Sequence, residues 1–307
     1  MPLRIRRGVE ADRTGFTPLE GEPIYVTDSK KVYIGDGSTA GGVNISQALT
    51  VDTQDFTASG TWTKPANALW VEVTMCGAGE AGAAGSTGSA GQGGNAGKFA
   101  SKTFLASDLA STVSVTCGSA MAFATYSASA TSSFGTHVYA PGASSGGFGA
   151  TIAEASANEI STTEAGTGGN QYAFSQGGAV DGEGRVGPAF GPGGGGGGGG
   201  TAAGYAGGKA SSGEAGGNYY EAKLGGGGAG GASGTTGVAG TAGGYDTVTG
   251  FGHGGGGGGR GTAGSGGAGG AAVRGGGGGG GGIGTTAGGA GGAGGNGFVR
   301  VRTLCFG

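Results

Sequence analysis

Several groups of residues have types and spacings that chemistry could use. Gly142-Ala143-Ser144-Ser145-Gly146 reads as G-x-S-x-G, the turn that presents a nucleophilic serine beside a histidine base. The chain holds only His137 and His253, and the preceding Tyr139-Ala140-Pro141 reads as a turn rather than a buried strand. Asp181 and Glu183 are a carboxylate pair of the kind that cleaves glycosides, but flanking glycines place them in a solvated loop. Asp28 and Asp36 are explained by turn formation without a bound cation. Glycine strings resembling phosphate-binding loops abound, yet none follows a strand and opens a helix. Lys98 precedes Phe99 and Lys209 precedes Ala210, so the Lys-Ser/Thr of a P-loop is missing. Cys76, Cys117 and Cys305 form no C-x-x-C pair, which leaves neither a zinc site nor a disulfide framework. The expectation is a protein with no catalytic residues, no metal and no cofactor.

Recognition is the chemistry that remains. Large side chains cluster between glycine tracts at Tyr172 and Phe174, at Tyr219 and Tyr220, and at Tyr245, Phe251 and His253, with Arg260 and Arg274 nearby. Tyrosine and arginine on glycine- and serine-rich loops are what paratopes use, because they offer contact area at small entropic cost. A glycine helix has no side chains to recognise anything, so these nine residues are the receptor-binding candidates. The blander reading is that they cap the ends of a glycine bundle. No acid follows Asp246, whereas Arg260, Arg274, Arg300 and Arg302 do, which suits a mildly cationic patch to anionic surface sugars.

The elements that would hold such residues divide in two. Residues 1–49 have ordinary composition. Leu3-Arg4-Ile5-Arg6 alternates like a half-buried strand, and Ile24–Thr27 with Lys31–Ile34 reads as a hairpin. Residues 50–307 form a glycine-rich domain. Its β scaffold is expected in 50–160 and 298–306, with strands at Leu69–Cys76, Thr112–Cys117 and Phe298–Arg302 forming one sheet or a sandwich. The glycine helices are expected mainly in 77–97 and 161–297. The fold class is therefore all-β with inserted polyglycine-II helices.

Glycine accounts for 88 of 307 residues and charged residues for 11%. Glycine buries almost no apolar area and loses the most backbone entropy on folding, so no ordinary core spans the chain. The glycines nevertheless have a period. Gly79, Gly82, Gly85, Gly88, Gly91, Gly94 and Gly97 are spaced by three, as are those from 225 to 243 and from 252 to 270. Three residues per turn is the repeat of the polyproline-II-type helix, which has no internal hydrogen bonds and must find partners in neighbouring chains. Collagen is excluded, since no proline follows Pro192. A bundle of polyglycine-II helices satisfies both constraints, with 79–97 as a close-packed glycine stripe.

Net charge of −3 argues against nucleic acid. The N-terminus has no apolar core of a secretory signal, and no run of about 18 apolar residues exists, so no membrane insertion is expected. Synthesis in a reducing host cytoplasm fits the sparse cysteines.

Two stretches resemble phage structural families. Residues 3–42, with an R-x-R-R-G start, then Gly-Glu-Pro-Ile-Tyr and Thr-Asp-Ser-Lys-Lys-Val-Tyr-Ile-Gly-Asp-Gly, resemble the N-terminal module of phage tail fibres and tropism-determinant proteins. That resemblance implies virion attachment through residues 1–49 and a homotrimer. From Phe56 to Leu304 the chain resembles the glycine-rich domain of phage tail fibres and adhesins. Its marks are TWTKPANALWVEVTMCGAG, GKFASKTFLASDLASTVSVTCG, SSFG and GGNGFVRVRTL. Related adhesins of T-even-like phages fold as a polyglycine-II sandwich whose apical loops bind outer-membrane proteins. The implied role is a virion tail fibre or adhesin that binds a host surface protein or glycan. The alternative is a structural virion component, a capsid decoration or a fibre spacer. A polysaccharide depolymerase or an ice-binding protein fits less of the chain.

Overall fold

The computed structural model describes residues 5–46, 48–125, 127–143, 195, 198–199, 233–247 and 250–306. Its regular structure is almost all β, and no described helix is long and apolar enough to cross a membrane. Two compact units divide the chain: 1–52 with 65–69 and 303–307, and 53–64 with 70–302.

The N-terminal unit contains β1 (Arg6–Gly8), the single turn α1 (Glu10–Arg13), β2 (Pro23–Val26), β3 (Lys31–Ile34) and β4 (Val43–Asn44), in sheet order β1-β2-β3-β4. The expected hairpin is β2–β3, with Ile24 opposite Tyr33 and Lys30 at φ 56° closing its turn. Only one face of this sheet has a core. Ile24, Val26 and Tyr33 are buried with Phe16 packed against them, while Arg6 stacks on Phe16 at 4.3 Å and Arg13 on Tyr33 at 3.9 Å.

The larger unit holds most of the strand scaffold. β5 (Leu49–Phe56), β7 (Ala68–Cys76), β8 (Phe99–Leu105) and β12 (Phe298–Phe306) form a sheet of order β5-β12-β7-β8. A second sheet has the order β11-β10-β9-β6, from β6 (Gly60–Thr63), β9 (Thr112–Thr116), β10 (Ser132–Phe134) and β11 (Val138–Ala140). Alternate side chains of both sheets are buried, among them Val71, Val73, Met75, Val113, Val115, Val299 and Val301. Phe134 joins the layers, 5.4 Å from Trp62 and 6.2 Å from Phe104 between ring centroids. The expected strands at 69–76, 112–117 and 298–302 are therefore β7, β9 and β12. Composition does not single out β8 and β10, and Tyr139-Ala140, expected in a turn, instead end β11, where they pair with Ser133 and Ser132.

The glycine segments start where β7 ends. In 77–86 successive backbone amides point to three different neighbours. Gly77, Glu80, Ala83 and Ser86 donate to carbonyls of 89–98, Ala78 and Ala81 to Ala130 and Met121, and Gly79, Gly82 and Gly85 to Gly295, Gly292 and Gly289. Bonds that rotate by one neighbour per residue are what three residues per turn requires.

The same rule organises the remaining runs around 275–283. This central run bonds to 252–261 (Gly258 N–H to Gly280, 2.8 Å), 266–273 (Gly279 N–H to Gly270, 2.9 Å) and 287–296 (Gly292 N–H to Gly279, 2.7 Å). On its other sides it meets 77–86 (Gly278 N–H to Glu80, 2.9 Å), 89–98 (Gly94 N–H to Gly278, 2.7 Å) and Gly199 (Ile283 N–H to its carbonyl, 3.1 Å). Each of these six neighbours also bonds to the next, through pairs such as Gly270–Gly256, Gly269–Ala290, Gly82–Gly292, Ala83–Gln92, Gly198–Gly91 and Gly199–Gly258. The ring is closed. A further run, 235–244, lies against 252–261 and 266–273.

Glycine density follows this placement. The all-glycine runs 254–259 and 275–282 are buried throughout. Where one face is open, every third residue is exposed and small: Ser265, Ala268 and Ala271 in one run, Ala287, Ala290 and Ala293 in the next. An interior turn must place backbone against backbone on every side. A Cβ on Gly279 would lie 2.1 Å from the Gly256 carbonyl oxygen, and one on Gly82 would lie 2.1 Å from that of Gly279.

The expected stripe needs one correction. Gly79, Gly82, Gly85, Gly91, Gly94 and Gly97 each press on a carbonyl, but Gly88 has nothing within 4 Å of its Cβ position. It lies in the exposed turn between two runs, where Ser86 Oγ accepts from its amide and from that of Ser89. The period continues through residue 88 while the packing does not.

Candidate functional site

The bundle has two ends, and they differ chemically. Runs 77–86 and 89–98 leave β7 and return to β8, and 287–296 enters β12, so the strand-side end is fixed by connectivity. At this end Phe251 is 5.2 Å from Phe99 and 6.1 Å from Phe298 between ring centroids, both edge-on. Arg274 stacks on Tyr245 at 3.7 Å and on Phe298 at 4.7 Å, and donates to the Gly250 carbonyl at 3.2 Å. Arg300 bonds both carboxylate oxygens of Asp55 at 2.7 and 2.9 Å, which holds that carboxyl below its ordinary range.

These positions revise the recognition candidates. Phe251 and His253 are each 2% exposed, so they belong to the interior rather than to an accessible loop. Phe251 packs edge-on against the rings of Phe99 and Phe298. Arg274 is half-buried between two rings, and only Tyr245, 48% exposed, presents substantial surface. Of these five candidates, four lie at the strand-side end or are enclosed there. Arg260 lies near the other end, half-buried with its Nε enclosed. Tyr172, Phe174, Tyr219 and Tyr220 lie outside the described residues, as do Ser144–Gly146, Asp181 and Glu183.

At the far end described runs reverse in three turns, and the start of the 235–244 run lies beside them. Their exposed side chains are Ser86, Thr87 and Ser89; Thr235 and Thr236; Thr262 and Ser265; Thr285 and Thr286. The turns are tied to one another. Thr262 Oγ1 donates to the Gly234 carbonyl at 3.0 Å, Thr285 Oγ1 to that of Gly264 at 3.2 Å, and Ser265 and Thr286 hydroxyls are 3.4 Å apart. The Gly284 amide donates to the Ser86 carbonyl at 3.3 Å. Sequence reasoning missed this surface because it weighted aromatic residues. The available signal was the recurrence of Ser and Thr wherever the triplet glycine register breaks.

Nucleophile and base are not assembled among the described residues. His137 packs on Phe104 and Phe134. Burial pushes the Cys76 thiol far up and Cys117 to about 11, the opposite of activation. No described group of three or more His, Cys, Asp or Glu residues could hold a metal ion. Glu80 is buried in the bundle, accepting from the Asn95 side-chain amide at 3.0 Å and from the Asn95 and Ala124 backbone amides. Burial raises its pKa, and its bonds tie residues 95 and 124 to the run 77–86.

The N-terminal unit offers a different surface. Opposite its small core, the sheet face carries Ile5, Tyr25, Val32, Ile34, Val43 and Ile45, fixed by the pairings Tyr25–Val32 and Ile34–Val43. Ile5, Val43 and Ile45 are 50%, 47% and 59% exposed. Residues 3–39 match the family model of the major tropism determinant N-terminal domain. This is a phage tropism-type module. No curated protein matches the chain. The match supports a protein of the phage tropism or tail-fibre type, associated with the virion.

Proposed function

We propose that the chain is a tail fibre or adhesin that binds the host cell surface, with residues 1–49 attaching it to other virion proteins. The observation that carries this reading is the tropism-determinant match at residues 3–39. The glycine runs act as polyglycine-II helices, a reading supported by amide bonds that rotate through three neighbours. Their role is to present turns rigidly, since a backbone-packed bundle has no side-chain rotamers to reorganise. The turn end, rather than the aromatic end, is the host-facing surface. The protein catalyses nothing and takes no cofactor.

The same reading makes the protein a homotrimer through its N-terminal unit. Ile5, Val43 and Ile45 lie on an apolar sheet face without a described cover, a patch that soluble monomers avoid. Purified protein should block adsorption of the phage to its host, and light scattering should give three chains per particle. Failure to block adsorption would favour the structural-component alternative. That alternative is supported by the outer row of runs, whose exposed Ala268, Ala271, Ala290 and Ala293 offer little to recognise.

A further inference from the structure

We draw no further inference here: the strongest candidate, the exposed apolar patch that Leu49 and Val51 of β5 and Phe306 of the neighbouring strand β12 present on the sheet surface, carries nothing because nothing in the structure shows what covers it.

Discussion

The β sandwich and the glycine bundle of one chain exclude water by opposite means. The sandwich buries side chains: Trp62, Phe134, Phe298 and a set of valines are each fully enclosed. Its stability comes from apolar area, at roughly 25 cal/mol for each Å² removed from water. The bundle buries backbone. Its central run 275–282 has no side chains, and its amides and carbonyls bond to surrounding segments. Each such bond contributes about 1 kcal/mol net, against the large entropy of ordering glycine. The sandwich therefore tolerates adjustment of shape, while the bundle tolerates no added atom where two backbones meet.

The sharpest way to break this contrast is Gly279→Ala. Its methyl would lie 2.1 Å from the Gly256 carbonyl oxygen, with backbone that cannot step aside. Loss of about 4 kcal/mol or more is expected, read as absence of folded protein or collapse of the melting transition. A wild-type melting curve would refute backbone close packing. In the sandwich, Phe134→Ala should cost about 3–5 kcal/mol in denaturant titration, because a fully buried ring leaves a cavity beside Trp62 and Phe104. A cost below about 1 kcal/mol would mean that this core is not the sandwich's main support.

Acid should separate the two regions by sign. Asp55 is bonded by Arg300, which lowers its folded pKa, so its contribution is present above the unfolded value near 3.9 and is lost as pH falls through the folded value. Glu80 has its folded pKa raised by burial, so its effect runs the other way: stability falls as pH rises from the unfolded value through the folded one. Melting measured across pH 3–7 (about the range spanned by these groups) should show Asp55→Asn weakening the acid loss and Glu80→Gln flattening the opposing trend. Identical pH profiles for wild type and both variants would contradict these environments. The smallest effect belongs to Gly88→Val, expected within about 0.5 kcal/mol of wild type because its turn is open. A large loss there would return Gly88 to the packed stripe.

Much of the architecture was legible because two short-range rules write themselves into sequence. Alternation marked β7, β9 and β12, and the period of three marked the runs whose amides bond three neighbours in rotation. Short strands such as β10 and β11 carried too few alternations to stand out, and β8 was masked by its mixed polar residues. The candidate site was read less well. Tyr245, Phe251, His253 and Arg274 stood out by size, and size among glycines suggested exposure. The structure instead buries Phe251 and His253 and sets Arg274 over the Tyr245 and Phe298 rings.

The sequence by itself determined the repeat, the absence of a conventional core in the glycine tracts and the tropism-type module at residues 3–39. Those depend on neighbours along the chain. Only the tertiary structure decided which glycines press on a carbonyl, which runs are central and which turns share an end. A triplet repeat states that one face in three must be bare; it does not state what that face meets. Gly82 and Gly88 occupy the same register, and one lies against the Gly279 carbonyl while the other faces open space. The difference is made by a run nearly two hundred residues further along the chain, whose backbone bonds reach one glycine and not the other.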